Sequence, residues 1–207
     1  MKKRIAGILT AALIGTTVMG TVVMAAPSGA IDVISREDGS GTRGAFVELF
    51  GIEEEKDGEK VDMTTQEASI TNNTDVMLTT VAGDENSIGY VSLGSLNDTV
   101  KAVKIDGAEA TAENVADDTY KVARPFNIVT GDKLSDAAQD FENYIMSADG
   151  QKIIEDNGYI SVGDKPAYEA TAVEGKVVVA GSSSVTPVME KLAEGYKAVN
   201  DKVDIEV

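Results

Sequence analysis

Two stretches of this chain share one local pattern, and no other feature restricts the fold as much. Each is an apolar strand that runs into a Ser/Gly loop and opens a helix. In the first, Ile31, Val33 and Ile34 form the apolar run, and Phe46, Leu49 and Phe50 form the i, i+3, i+4 stripe of an amphipathic helix stopped at Gly51. The second begins at Val177-Val178-Val179-Ala180, passes through Gly181-Ser182-Ser183-Ser184 and enters a helix over Pro187 to Asn200. Thr186 is its expected N-cap, with Pro187 at the first helical position and Val188, Leu192, Tyr196 and Val199 as its apolar stripe. Such a unit suits a small anion. Glycine lets the backbone approach a ligand, and the first-turn N–H groups carry the positive end of the helix dipole. Arg36 and Arg43 flank the first loop as charge partners, while Ser40 and Thr42 add hydroxyl donors.

Composition narrows the chemistry. A chain of 207 residues with 43% hydrophobic content can bury a core as one domain or two small lobes. There is no cysteine, hence no disulfide, thiol nucleophile or lipid-attachment site, and no histidine to serve as general base or metal ligand. A net charge of −17, with no basic run beyond the N-terminus, speaks against nucleic acid as a partner.

In chain order, residues 1–25 place Lys2, Lys3 and Arg4 ahead of an apolar stretch, with Val23-Met24-Ala25 suiting a cleavage site, so a secretory signal peptide is expected. The alternative is an uncleaved anchor. Ile52 to Ser69 is polar and acidic and reads as a solvated loop; Asp75 to Ala82 reads as a short helix. Ser87 to Ser92 reads as a buried strand with close backbone approach at Gly89, and Val100 to Ile105 and Val122 to Thr130 as further strands. Thr111 to Ala116 suggests a helical turn. Leu134 to Ala148, N-capped by Ser135, and Gln151 to Asn157, ended by Gly158, read as helices. Alternating strands and helices predict an α/β architecture. Gly163 to Gly175 carries Pro166, shows no period and reads as a linker. Val203 to Val207 starts another strand where the sequence stops, so truncation is expected.

Arg36-Glu37-Asp38-Gly39-Ser40-Gly41-Thr42-Arg43 resembles the Arg-x-Asp-x-Ser-Gly-Thr signature of the phosphate-binding proteins of phosphate ABC importers. Ala180-Gly181-Ser182-Ser183-Ser184-Val185-Thr186-Pro187 is similar to the first ligand loop of that family, and Ser87 to Leu96 and Arg124 to Ile160 to its second half. The resemblance implies periplasmic-binding-protein-like (type II) lobes, incomplete or permuted, because the Gly-Ser-Ser loop here follows the arginine loop. On that reading residues 26–163 are the second part of one unit, 164–175 a linker and 176–207 the opening of a next unit. The apolar stripe of the last helix must be buried, so residues 177–207 are expected to fold back in cis onto 122–161, as in a circular permutant.

Carried over by position, the resemblance gives Arg36 the charge-assisted contact to the anion and makes Asp38 the support of its guanidinium. Ser40, Gly41 and Thr42 become hydroxyl and backbone donors, with Ser183 and Ser184 donating from the opposite lobe. The family's second Gly/Ser-rich loop, and the carboxylate that accepts the proton of a protonated phosphate, find no counterpart. The implied protein is an exported, monomeric, non-enzymatic binder of phosphate or a related oxyanion, without cofactor, serving a membrane permease. Two alternatives stand beside it. One is a structural remnant without tight binding, with Ser40 only capping its helix. The other is a nucleotide-binding enzyme domain using Gly39, Gly41 and Gly44, which satisfy the dinucleotide spacing.

Overall fold

In the computed structural model, which describes residues 29–207, β1 (Asp32–Arg36) forms the middle of a parallel three-stranded sheet between β4 (Ser69–Thr71) and β5 (Ser87–Ile88). Register pairs Arg36 with Thr71 and Val33 with Ile88. The expected signal peptide lies outside the described residues. Parallel neighbours need crossovers, and α1 (Gly41–Leu49) and α2 (Thr74–Ala82) belong to these connections. Ile34, Val47, Met77 and Leu78 are the buried apolar side chains of this half. Helix α1 ends as expected at Gly51, whose positive φ lets Ile52 N–H reach back to the Val47 carbonyl at 2.8 Å. Its predicted apolar stripe is only partly used, since Leu49 and Phe50 are exposed.

Between α1 and β4 the acidic stretch is not a loop. It folds into the antiparallel hairpin β2 (Glu53–Lys56) and β3 (Glu59–Asp62). Asp57 and Gly58 both take positive φ, the requirement of the two-residue turn whose twist matches paired strands. That dipeptide was the available signal, and the density of charge obscured it.

The strand expected over 87–92 shortens to Ser87–Ile88, followed by an irregular run and one 3-10 turn at Leu93–Ser95. Gly89 does lie in close contact, because a β-carbon there would run into the Met77 sulfur. Neither Val100 to Ile105 nor Val122 to Thr130 forms a strand; Ile105 makes one bridge, to Ala108. Alternation yields a strand only where a neighbouring backbone pairs with it and a core covers one face. Here Val129 is 90% exposed. The turn at 111–116 is present as α3 (Ala112–Ala116).

The larger core lies in the C-terminal half. Helix α4 (Asp136–Ile145), capped by Ser135 as expected, and α5 (Ala148–Asp156) pack with α6 (Thr186–Val199). Strands β6 (Gly175–Val178) and β7 (Val203–Glu206) pair in parallel on either side of α6. Phe141, Tyr144, Ile145, Val177, Val188, Leu192, Tyr196 and Val203 form one apolar cluster. Each large side chain so buried contributes about 1.5–3 kcal/mol. The stripe on α6 is therefore buried in cis against α4 and α5, except Val199, which is exposed. Gly195 sets how close α6 can come, because a β-carbon there would lie 2.5 Å from both the Tyr144 hydroxyl and Ile153 Cδ1.

Thr186 is not the N-cap but the first helical residue. The Ser182 carbonyl accepts from Val185 N–H and Thr186 N–H, so no side-chain cap is formed at this end. Residues 163–174 are irregular yet tied down. Pro166 O accepts from Ala148 N–H, Asp149 accepts from Tyr168 N–H, and Val173 O accepts from the Asn200 amide.

Candidate anion-binding site

Three strand ends and three helix starts meet at one place. β1 ends at Arg36 and leads to α1; β4 ends at Thr71 and leads to α2; β6 ends at Val178 and leads through Ser182 to Ser184 into α6. In parallel α/β folds the carboxyl edge of the strands is where loops can hold a ligand. The contacts here are direct. Arg36 Nη2 donates to Ser183 Oγ at 3.1 Å, and Ser183 Oγ shares a hydrogen bond with Thr74 Oγ1 at 3.2 Å. Thr42 Oγ1 and Ser184 Oγ share a buried hydrogen bond of 2.7 Å. Tyr159 donates to the Ser184 carbonyl at 2.7 Å, which fixes the second loop from below.

Arg36 is the central group. It follows Ile34 and Ser35 at the buried end of β1 and is only 3% exposed. Tyr90, stacked on Phe46 at 4.1 Å, accepts from the Arg36 backbone N–H and hydrogen-bonds Ser35. The guanidinium gives Nε and one Nη2 hydrogen to Glu37, at 2.8 and 3.0 Å. Its hydrogen bond to Glu37 holds that carboxyl below the usual glutamate range. Among the described residues nothing accepts from Nη1, nor from the N–H groups of Gly41 and Thr42 at the mouth of α1. A buried cation with a free donor edge, beside open helix-start amides, can take an oxyanion.

The placement of the expected residues is uneven. Arg36, Thr42, Ser183 and Ser184 are brought together, with Gly41 beside them. Ser40 caps α1, accepting from Arg43 N–H at 3.4 Å, which leaves its own proton to donate. Asp38 does not hold Arg36. Its carboxylate is exposed and pairs with Arg43 at 2.8 Å, while Glu37 takes the Arg36 guanidinium. The reason is directional: Arg36 points inward from the strand, whereas Asp38 lies beyond its end, over the first turn of α1, where Arg43 sits. Arg43 also binds Asp62 and the Arg36 carbonyl, so it clamps the loop rather than facing a ligand.

Sequence reasoning missed Thr74, Glu37, Arg124 and Tyr159. The signal for Thr74 was available, since Asn73 caps α2 and sets Thr74 at its first position after a strand, a third copy of the pattern. For Arg124 and Tyr159 there was none, because both come from irregular segments.

Residues 16–149 match the PBP superfamily domain. The phosphate-binding protein PstS 2 of Streptococcus pneumoniae is 44% identical over 208 residues, 96% of this chain and 72% of the relative. This chain belongs to the phosphate-binding protein family. PstS 2 of Streptococcus agalactiae is 58% identical over 181 residues, or 86% of this chain, and the chain spans 62% of that relative's length. A solved phosphate ABC transporter substrate-binding protein from Clostridium perfringens, with bound phosphate, has a TM-score of 0.58 and 41% identity. That match covers 64% of this chain and 52% of the other. The pneumococcal match takes in 96% of this chain, so it runs through both loops.

Proposed function

We propose that the chain captures inorganic phosphate, or a closely related tetrahedral oxyanion, outside the cytoplasm and hands it to the membrane permease of an ABC importer. It does so as a monomer and without catalysis. The observation that carries this reading is the buried Arg36, which keeps Nη1 free while its other donors bind Glu37 and Ser183. The anion replaces or extends those contacts. Its oxygens take Nη1 and the Gly41 and Thr42 amides from one lobe, and the Ser183 and Ser184 hydroxyls from the other. Binding therefore ties the two lobes together. The phosphate bound in the Clostridium perfringens relative supports the choice of phosphate, and the acidic surface does not oppose it. Surface charges are screened over about 8 Å in physiological salt.

Calorimetric titration of the chain with phosphate, beside sulfate, tests the reading. Wild type binds phosphate, and Arg36→Ala weakens binding by at least about thirtyfold, the weight of a desolvated charge-assisted contact. Equal affinity in the two proteins, or no binding by wild type, contradicts it. The second outcome favours the structural-remnant alternative.

A further inference from the structure

After the N-terminal Arg4, this chain has three arginines, and all three meet at the start of α1. Their charges are used differently. Arg36 is paired with Glu37, and Arg43 is paired with both Asp38 and Asp62. Arg124 has no carboxylate partner among the described residues. Its Nη2 donates to the Gly41 carbonyl at 2.8 Å, across 83 residues of chain. Its guanidinium carbon lies 5.6 Å from the centre of the Phe126 ring, and Phe126 lies 6.0 Å from Tyr159, which holds the Ser184 carbonyl. The irregular run of residues 122–130 is thus a strap that touches the first ligand loop directly and reaches the second through Tyr159, although it pairs with no strand.

We infer that Arg124 is a binding residue of this site. It supplies the uncompensated positive charge that draws a phosphate anion to the mouth of α1 and holds it there. The inference rests on the proposed phosphate reading and adds to it a residue outside both ligand loops. The charge ledger makes the case. The guanidinium of Arg36 gives the seat its donor geometry, yet Glu37 cancels its charge. The charge of Arg43 is outweighed by its two aspartates. The electrostatic pull on an incoming anion then falls to Arg124 and the helix amides. A guanidinium hydrogen-bonded to a carbonyl keeps its full charge and still has donors to offer. The exposed position of Arg124 suits a group that meets the ligand first, and makes its effect dependent on salt.

Two substitutions separate charge from tether. Arg124→Lys keeps the charge, whereas Arg124→Gln keeps a donor for the Gly41 carbonyl and loses the charge. Phosphate affinity and association rate are measured for the full chain and each variant at low and physiological ionic strength, with thermal unfolding as a check on folding. The expected result is roughly tenfold weaker binding in Arg124→Gln with a flattened salt dependence, a loss expected for one partly screened charge near the anion. Arg124→Lys stays within about threefold of wild type, because a cation there remains close to the anion. Wild-type affinity and salt slope in Arg124→Gln overturn the inference, as does equal loss in both variants, which assigns Arg124 to the tether alone. These outcomes leave the phosphate reading standing, since that reading fails only if wild type does not bind or Arg36→Ala binds equally well.

Discussion

The two halves of the molecule both bury polar side chains, Asp140, Ser147, Gln151, Ser184 and Asn200 in the second, but they bury apolar ones very unequally. Residues 134–207 bury aromatic and aliphatic side chains in one cluster, with Tyr196 fully enclosed. Residues 29–100 bury few apolar groups but enclose Ser35, Arg36, Thr42, Thr71 and Thr74. Burying polar groups is costly unless each finds a partner, so the first half depends on hydrogen bonds, some of them to the second. The comparison teaches a division of labour: the C-terminal half supplies stability and presents a Ser loop, and the N-terminal half supplies the donors that take an anion.

The largest expected effect breaks the stable half. Leu192→Ala removes the centre of the α6 stripe and costs about 2–5 kcal/mol, read from denaturant unfolding. If stability is unchanged, α6 is not docked on α4 and α5. Asp140 offers an intermediate test. It is buried, and it accepts from the Tyr168 hydroxyl at 2.6 Å and from the Tyr196 hydroxyl. Burial pushes its carboxyl upward, but these phenol hydrogen bonds outweigh that and hold it below the ordinary value of 3.8. A carboxyl lowered on folding stabilises fully above its unfolded value, and that stability is lost as pH falls through the folded one. Asp140→Asn therefore costs about 1.5–3 kcal/mol at neutral pH, and its deficit against wild type shrinks as pH drops below about 3.8. A deficit constant with pH contradicts the assignment.

The smallest effect sharpens the other side of the comparison. Glu37→Gln removes the carboxylate that competes for Arg36. Phosphate binding tightens several-fold while unfolding free energy falls by about 1 kcal/mol, because the buried Arg36 loses its counter-charge, by calorimetry and denaturation respectively. Weaker binding would make Glu37 a support for the ligand rather than its competitor.

Much of this was legible in sequence. Both strand–loop–helix units, the caps at Ser40 and Ser135, the stop at Gly51 and the meeting of Arg36 and Thr42 with Ser183 and Ser184 follow from local pattern and resemblance. The rest was not, for separable reasons. Val122 to Thr130 has the pattern of a strand, but pairing depends on a neighbour that no local pattern encodes. The hairpin at Asp57-Gly58 was concealed by surrounding charge. The Glu37 and Asp38 exchange turns on which way a side chain leaves the end of a strand. The third helix start, at Thr74, needed the sheet order β4-β1-β5 before its position meant anything.

The central claim is that loops from both halves meet in one seat and that an anion fastens them. Hydrogen exchange followed over residues 177–199 and at Gly41 and Thr42, with and without phosphate, tests it most directly. The account predicts protection of α6 in the free chain, and additional slowing at Gly41, Thr42 and residues 182–184 when phosphate is added. A segment that exchanges freely in the free chain, or loops whose exchange phosphate leaves unchanged, would contradict it.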